Sequence, residues 1–440
     1  MRFWEGLDRF STAPALITPH ETLSYAGLSE AVSKTASDIT TGMPRPLVML
    51  SAQNTVASVV AYLACLVANT PVMMVDAALN DDLKNTLIKT YHPNLLISTN
   101  GQVPVLDIIS STPTPTHPDL AVLLSTSGST GSPKYVRLTA GNIAENATSI
   151  AQYLNLDQTE RPITALPMHY SYGLSVINSH LSVGAALLLT PDTIMQKPFW
   201  DFANEQKMTS FSGVPYMYKM LKRLRFFEKD RPSLKTLTQA GGKLDEALAK
   251  EIARSAKAKG IDFYIMYGQT EATARISYVP TDHAEDKADT IGVAIPNGEL
   301  NIEEGELVYR GPNVMMGYAE TKDDLLLGDT CNGVLYTGDL GTQDTEGYFK
   351  IIGRKKRFIK LFGNRVNLDD VEKEVADRGI ENAVTGQDDA LVVIITDTTK
   401  ESDIKTILKD VFKFHPSAIS VKCVDEIPRT SSGKVKYAGL

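Results

Sequence analysis

Thr126-Ser127-Gly128-Ser129-Thr130-Gly131-Ser132-Pro133-Lys134-Tyr135 is a loop built to hold a polyanion. Its hydroxyls and bare glycine amides are hydrogen-bonding groups for phosphate oxygens, and Lys134 adds a cation. The apolar run Ala121-Val122-Leu123-Leu124 in front of it has strand character, which puts the loop at a strand's carboxyl end, where open α/β sheets bind ligands. A Walker A loop sets its second glycine directly before the lysine; this chain has Pro133 there, so the P-loop nucleotidase motif is excluded.

Working outward, the neighbouring segments alternate between helix and strand. Ala57 to Val67 predicts an apolar helix and Thr70 to Val75 a buried strand. Ala144 to Tyr153 predicts a second helix and Ala185 to Leu189 another buried strand, the alternation of an α/β fold. Thr112-Pro113-Thr114-Pro115-Thr116-His117-Pro118 is too proline-rich for regular structure and reads as a stiff connector into the loop's strand.

The chain has 440 residues, more than one hydrophobic core usually serves, so at least two domains are expected. Hydrophobic residues make up 43% and charged residues 22%, ordinary for a globular protein. A formal charge of −8 argues against broad binding to nucleic acid or anionic membrane. Cys65, Cys331 and Cys423 are too few and too far apart for a disulfide framework, which fits a cytoplasmic protein. The first residues lack a signal-peptide pattern, and no apolar stretch reaches the roughly 18 residues of a membrane span.

Four further segments accompany the loop, in order: Tyr267-Gly268-Gln269-Thr270-Glu271; Tyr336-Thr337-Gly338-Asp339; Gly353-Arg354-Lys355-Lys356 through Gly363-Asn364-Arg365-Val366; and Pro428-Arg429-Thr430-Ser431-Ser432-Gly433-Lys434. Together they resemble the adenylate-forming superfamily of acyl-CoA synthetases, peptide-synthetase adenylation domains and firefly luciferase. The resemblance implies a large N-terminal AMP-binding domain of sheets flanked by helices (1–353) and a small, mobile α+β lid (354–440). It implies an enzyme that activates a small carboxylic acid with ATP and Mg²⁺, forms an acyl-adenylate with release of pyrophosphate, and passes the acyl group to the thiol of CoA. Transfer to the phosphopantetheine of a separate acyl carrier protein is the alternative, and a non-catalytic acyl- or nucleotide-binding relative is the reading from another class. The chain has no phosphopantetheine attachment motif of its own, so the acceptor comes from outside.

Carried over residue by residue, the resemblance gives Thr126, Ser127, Gly128, Ser129, Thr130 and Lys134 to the β- and γ-phosphates, and Glu271 with Thr130 to Mg²⁺, a hard ion that takes oxygen ligands. Gly268 and Thr270 belong to the same nucleotide motif. Asp339 and Arg354 hold the ribose, Tyr267 faces adenine, and Gly241 and Gly242 leave bare backbone beside adenine and acyl group. Lys434 bridges the carboxylate and the α-phosphate during adenylation; Lys356 is the lid hinge, and Gly363 lies against the thiol's pantetheine arm. His169, Tyr172, Phe211 and Val214 line the acyl site. No aspartate lies between Leu166 and Leu174, where amino-acid-selecting domains pair the substrate ammonium, so an α-amino acid is disfavoured. Tyr135 stands where the family often has glycine, which either narrows the site or turns the ring outward. The basic run Lys355-Lys356-Arg357-Lys360 is also consistent with a solvated face or an anionic-ligand patch.

Overall fold

A computed structural model of the chain describes residues 2–99, 103–125, 134–355, 357–362, 364–429, 435–437 and 440. The described residues fall into two compact units, one of 2–125, 134–300 and Tyr309–Leu335, the other of Asn301–Val308 and Tyr336–Leu440.

The first unit contains a nine-stranded and a seven-stranded sheet. In the seven-stranded sheet Val48–Ala52, Val72–Asp76 and Leu120–Ser125 run parallel, and Tyr135–Thr139 turns back antiparallel beside Leu120–Ser125. The expected strand before the phosphate loop is therefore present, and it ends one residue short of Thr126. In the nine-stranded sheet Ser210–Gly213, Thr236–Gln239 and Asp262–Tyr267 form a parallel run. One core joins residues of both sheets to helices Tyr25–Thr40, Val56–Val67, Ala140–Tyr153 and Ser171–Ser182.

Local chemistry explains the boundaries. Val56–Val67 starts where Thr55 accepts from the Ser58 amide, and every residue from Ala57 to Leu66 is buried, as an all-round apolar helix requires. Ala140–Tyr153 begins before the expected Ala144 because Thr139 and Asn142 close a capping box ahead of it. The expected strand at Ala185–Leu189 contracts to Leu187–Leu188, since the Ala185 and Ala186 amides bond to the His180 and Glu160 carbonyls instead. The proline-rich connector is irregular, as expected, but tied down: Asn94 donates to the Thr112 carbonyl, and Arg45 donates to the carbonyls of His117, Pro118 and Leu120. Tyr135 packs edge-on against Tyr91 in the core, 5.4 Å between ring centres, which answers its two-way reading.

In the second unit the Asp339–Gln343 part of the long strand Val334–Gln343 pairs antiparallel with Phe349–Arg354. The hairpin of Phe358–Leu361 and Asn364–Asn367 leads into helix Leu368–Asp377, capped by Asn367. A three-stranded sheet, Asn382–Gln387, Ala390–Ile395 and Ile419–Cys423, packs with that helix and Glu401–Asp410 around a Val- and Ile-rich core. Arg357 is no solvated residue: its guanidinium pairs with Asp369 and Glu372 and lies 4.1 Å from the centre of the Tyr437 ring. The mixed α/β class expected from the sequence is the one observed.

Candidate active site

The carboxyl ends of the parallel strands in the first unit carry most of the described site residues. Tyr267 ends strand Asp262–Tyr267, and Gly268 follows where a Cβ would stand 1.8 Å from the Ala274 carbonyl oxygen, so only glycine fits. Thr270–Ala272 then forms one 3₁₀ turn that presents Glu271. Thr273 reverses the chain at φ 65°, ψ −47°, with the Ala274 amide donating to the Ala272 carbonyl at 2.6 Å; this is a γ-turn of the rare positive-φ kind, strained for a β-branched residue.

A segment some forty positions later holds that turn. Asn313 donates its side-chain amide to the Ala272 and Arg275 carbonyls, accepts from the Tyr309 hydroxyl, and receives the Thr273 hydroxyl on its own carbonyl. The Met315 amide donates to the Glu271 carbonyl. Arg137, 1% exposed, spends its guanidinium on the backbone carbonyls of Met316, Tyr318, Leu327 and Gly328 and so fixes the strand Gly317–Ala319. Tyr318, on that strand, donates its hydroxyl to Glu271 Oε1 at 2.9 Å, while Lys134 Nζ lies 3.5 Å from the centre of the Tyr318 ring. Burial and the Glu271 charge hold the phenol above its ordinary pKa, so it remains a donor. Glu271 Oε2 has no hydrogen bond among the described residues.

The expected acyl residues divide. Tyr172 is 2% exposed, and its hydroxyl reaches the Thr238 carbonyl at 3.0 Å and the Thr238 hydroxyl at 2.9 Å. Thr238 donates on to the Ser212 hydroxyl. Val214 closes on Gly241, whose φ of +83° and whose approach to Val214 and the Tyr170 hydroxyl both exclude a side chain. Gly242 lies beside Pro215. Phe211 stands apart: strand alternation sends its ring into the aromatic core with Trp200, Tyr218 and Phe226 and turns Ser212 toward Tyr172 and Thr238 instead. His169 Nε2 is 3.6 Å from Asp76, burial depresses its pKa against the opposing pull of Asp76, and its Nδ1 is buried without a hydrogen-bond partner.

In the second unit Asp339 and Arg354 occupy opposite register positions of their strand pair, with Arg354 Nε 3.4 Å from Asp339 Oδ1. Asp339 is 5% exposed. The turn before it is fixed from below: Thr337 donates to the Leu307 carbonyl and accepts from the Asp339 amide, and Glu306 accepts from both the Gly338 amide and Lys355 Nζ.

Thr126, Ser127, Gly128, Ser129, Thr130, Lys356, Gly363 and Lys434 lie outside the described residues. Sequence reading passes over Tyr318 and Arg275. Nothing local marks Tyr318, whereas Arg275 between Ala274 and Ile276 is a charge in an apolar run, which could have drawn attention. Among the described residues no cluster of His, Cys, Asp and Glu forms a ready-made metal site, and no helix is long and apolar enough to cross a membrane.

Residues 3–319 match the family model described as AMP-binding enzyme. The indoleacetate–CoA ligase of Aromatoleum aromaticum (strain DSM 19018 / LMG 30748 / EbN1) is 31% identical over 337 residues, covering 71% of this chain and 64% of the ligase, so the matched region spans just under two thirds of that relative. The feruloyl-CoA synthase of an Amycolatopsis species is 27% identical over 98% of this chain and 97% of its own length. O-succinylbenzoate coenzyme A synthetase (MenE) from Bacillus subtilis superposes in its complex with AMP at a TM-score of 0.81 and 22% identity, covering 100% of this chain and 98% of that one. Its complex with ATP and magnesium ion gives 0.79 and 21%, covering 100% and 99%. At such identity the structural likeness speaks for the fold, and the family match over residues 3–319 goes further: this chain belongs to the AMP-binding enzymes.

Proposed function

We propose that the protein is an AMP-forming acid–thiol ligase that couples ATP cleavage to formation of an acyl-CoA. In the first half-reaction a substrate carboxylate oxygen bonds to the α-phosphorus and the bond to pyrophosphate breaks. In the second the thiolate sulfur of CoA bonds to the acyl carbon and AMP leaves. The observation that carries this reading is the Lys134–Tyr318–Glu271 chain: a cation, a neutral donor and a carboxylate with one oxygen uncommitted, held together beside the family's phosphate loop. That free oxygen suits Mg²⁺, which takes hard oxygen ligands from one or two carboxylates and completes its shell with phosphate and water. When bound, the ion neutralises charge on the departing pyrophosphate.

The remaining roles follow the family's pattern. The loop 126–134 cradles the β- and γ-phosphates, with Thr130 a second oxygen ligand. Asp339, backed by Arg354, accepts hydrogen bonds from the ribose hydroxyls. Lys434 stabilises the developing charge of adenylation, and rotation at Lys356 swings residues 354–440, a lid on the 1–353 domain, so that Gly363 meets the pantetheine arm. The reaction takes place in the cytoplasm.

The test is ATP–pyrophosphate exchange across a panel of carboxylic acids, followed by AMP release with CoA or with a phosphopantetheinylated carrier protein. Acid-dependent exchange and CoA-dependent AMP release are expected. Exchange without AMP release on CoA, but with release on a carrier protein, would assign the alternative acceptor. A folded protein with no exchange on any acid would return the chain to the binding-protein class.

A further inference from the structure

Arg275 is 2% exposed, yet it forms no ion pair among the described residues, and its Nε is buried without a hydrogen-bond partner. Two other arginines of the chain give the measure of this. Arg137, equally buried, has its guanidinium satisfied by four backbone carbonyls, and Arg357 has two carboxylates. Around Arg275 the side chains are tyrosines instead. Its guanidinium carbon lies 4.0 Å from the centre of the Tyr172 ring, and its charge opposes the burial that raises the phenol pKa of Tyr153, Tyr170 and Tyr172. The Tyr153 hydroxyl takes one hydrogen bond from the guanidinium, whereas the Tyr172 ring face attracts the cation without accepting its N–H donors, and Nε stays unpartnered.

The backbone at Arg275 is fixed independently of that charge, by the γ-turn at Thr273 and by the donation of Asn313 to the Arg275 carbonyl at 2.9 Å. The guanidinium is thus held at the carboxyl ends of the parallel strands, beside Tyr172. A buried cation left without an anion is costly, and a carboxylate meets a guanidinium's planar fork with two parallel hydrogen bonds.

We propose that Arg275 forms an anion subsite at the far end of the acyl site and that the substrate is a dicarboxylic acid, one carboxylate being adenylated while the other pairs with Arg275. The inference rests on the ligase reading for the identity of the reacting end and on Arg275 itself for the identity of the other end.

The experiment uses the full chain and a series of dicarboxylic acids from malonate to suberate plus the phthalate isomers, each paired with its monomethyl ester. Both ATP–pyrophosphate exchange and the thermal shift of the protein in the presence of AMP are read. In the wild type at least one diacid is expected to exceed its ester about 100-fold in kcat/KM, the scale of a desolvated charge pair. Arg275→Met should erase that ratio, so that diacid and ester are turned over alike, and Arg275→Lys, which keeps the charge and loses the fork, should retain part of it. A wild type that favours no diacid over its ester in either readout overturns the subsite, as does an Arg275→Met variant that keeps the preference. Should the variants fail to fold, the wild-type ratio alone decides. Exchange without diacid preference sinks the subsite and leaves the ligase standing; a diacid-specific thermal shift without exchange on any acid does the reverse.

Discussion

Tyr318 stands between Lys134 and Glu271, its ring under the lysine ammonium at 3.5 Å and its hydroxyl on the glutamate at 2.9 Å. The tyrosine thereby sets the rotamer of the proposed metal carboxylate without sharing its charge. Tyr318→Phe removes the hydrogen bond and keeps the ring. The Mg²⁺ concentration for half-maximal pyrophosphate exchange should rise about tenfold, the roughly 1.5 kcal/mol at the low end for a hydrogen bond to a charged group, while Tyr318→Leu should cost more because the cation–π contact goes as well. An unchanged Mg²⁺ dependence in the phenylalanine variant would detach Tyr318 from the metal site.

Asp339 pairs with Arg354 across two strands and receives structural support from Thr337 and Glu306 through the turn before it. Asp339→Ala should raise KM for ATP by about 30-fold at saturating Mg²⁺, the loss of a bidentate contact worth roughly 2 kcal/mol. The Mg²⁺ dependence itself should stay put. Glu271→Gln should do the opposite, and the two variants measured side by side separate ribose binding from metal binding.

Lys434 acts on the first half-reaction alone in the proposed scheme. Lys434→Ala should therefore abolish acyl-adenylate formation, measured by exchange, and spare transfer from a chemically supplied acyl-adenylate to CoA. Equal loss of both half-reactions in a folded variant would contradict the role.

His180 supplies a pH test of the fold. Its ring is buried in helix Ser171–Ser182, with Nδ1 bonded to the Val176 carbonyl at 2.8 Å, and burial pushes its pKa down to about 4, against smaller upward pulls from that carbonyl and Glu160. The folded value lies below the ordinary 6.5 of an unfolded chain, so the unfolded state takes up the proton first as pH falls. Stability is complete above about pH 6.5 and drains away toward pH 4, by about 2 kcal/mol between pH 7 and pH 5 from this residue. His180→Leu should flatten that part of the urea-denaturation profile. A slope equal to wild type would place the acid sensitivity elsewhere, with buried His169 the next candidate.

The strand before the phosphate loop and the buried helix Val56–Val67 were legible because each rests on local pattern, an apolar run and an all-round apolar helix, while Glu271 and Asp339 were singled out by short signatures. Family resemblance, rather than propensity, supplied the roles. What stayed hidden is non-local. Phe211 and Ser212 are adjacent in sequence, and only the strand's pleat decides which one faces Tyr172. Tyr318 reaches Glu271 from forty-seven positions away, and Asn313 reaches Ala272 from forty-one, with no periodicity to announce either. The Arg357 clamp was readable only as part of a basic run, because its partners Asp369, Glu372 and Tyr437 come together only on folding.

The turn at Thr273 couples two properties that an engineer would wish to vary separately. Glu271 and Arg275 are carried on the two arms of one short clip, and Asn313 clasps both arms. Side-chain exchanges at 275 can retune which acid is accepted, since the clip is held through backbone carbonyls. Insertions, deletions or a proline anywhere from 272 to 274 would instead displace the proposed metal carboxylate together with the proposed specificity residue. On the proposed roles, substrate range in this scaffold diversifies by substitution at this loop and not by changes in its length.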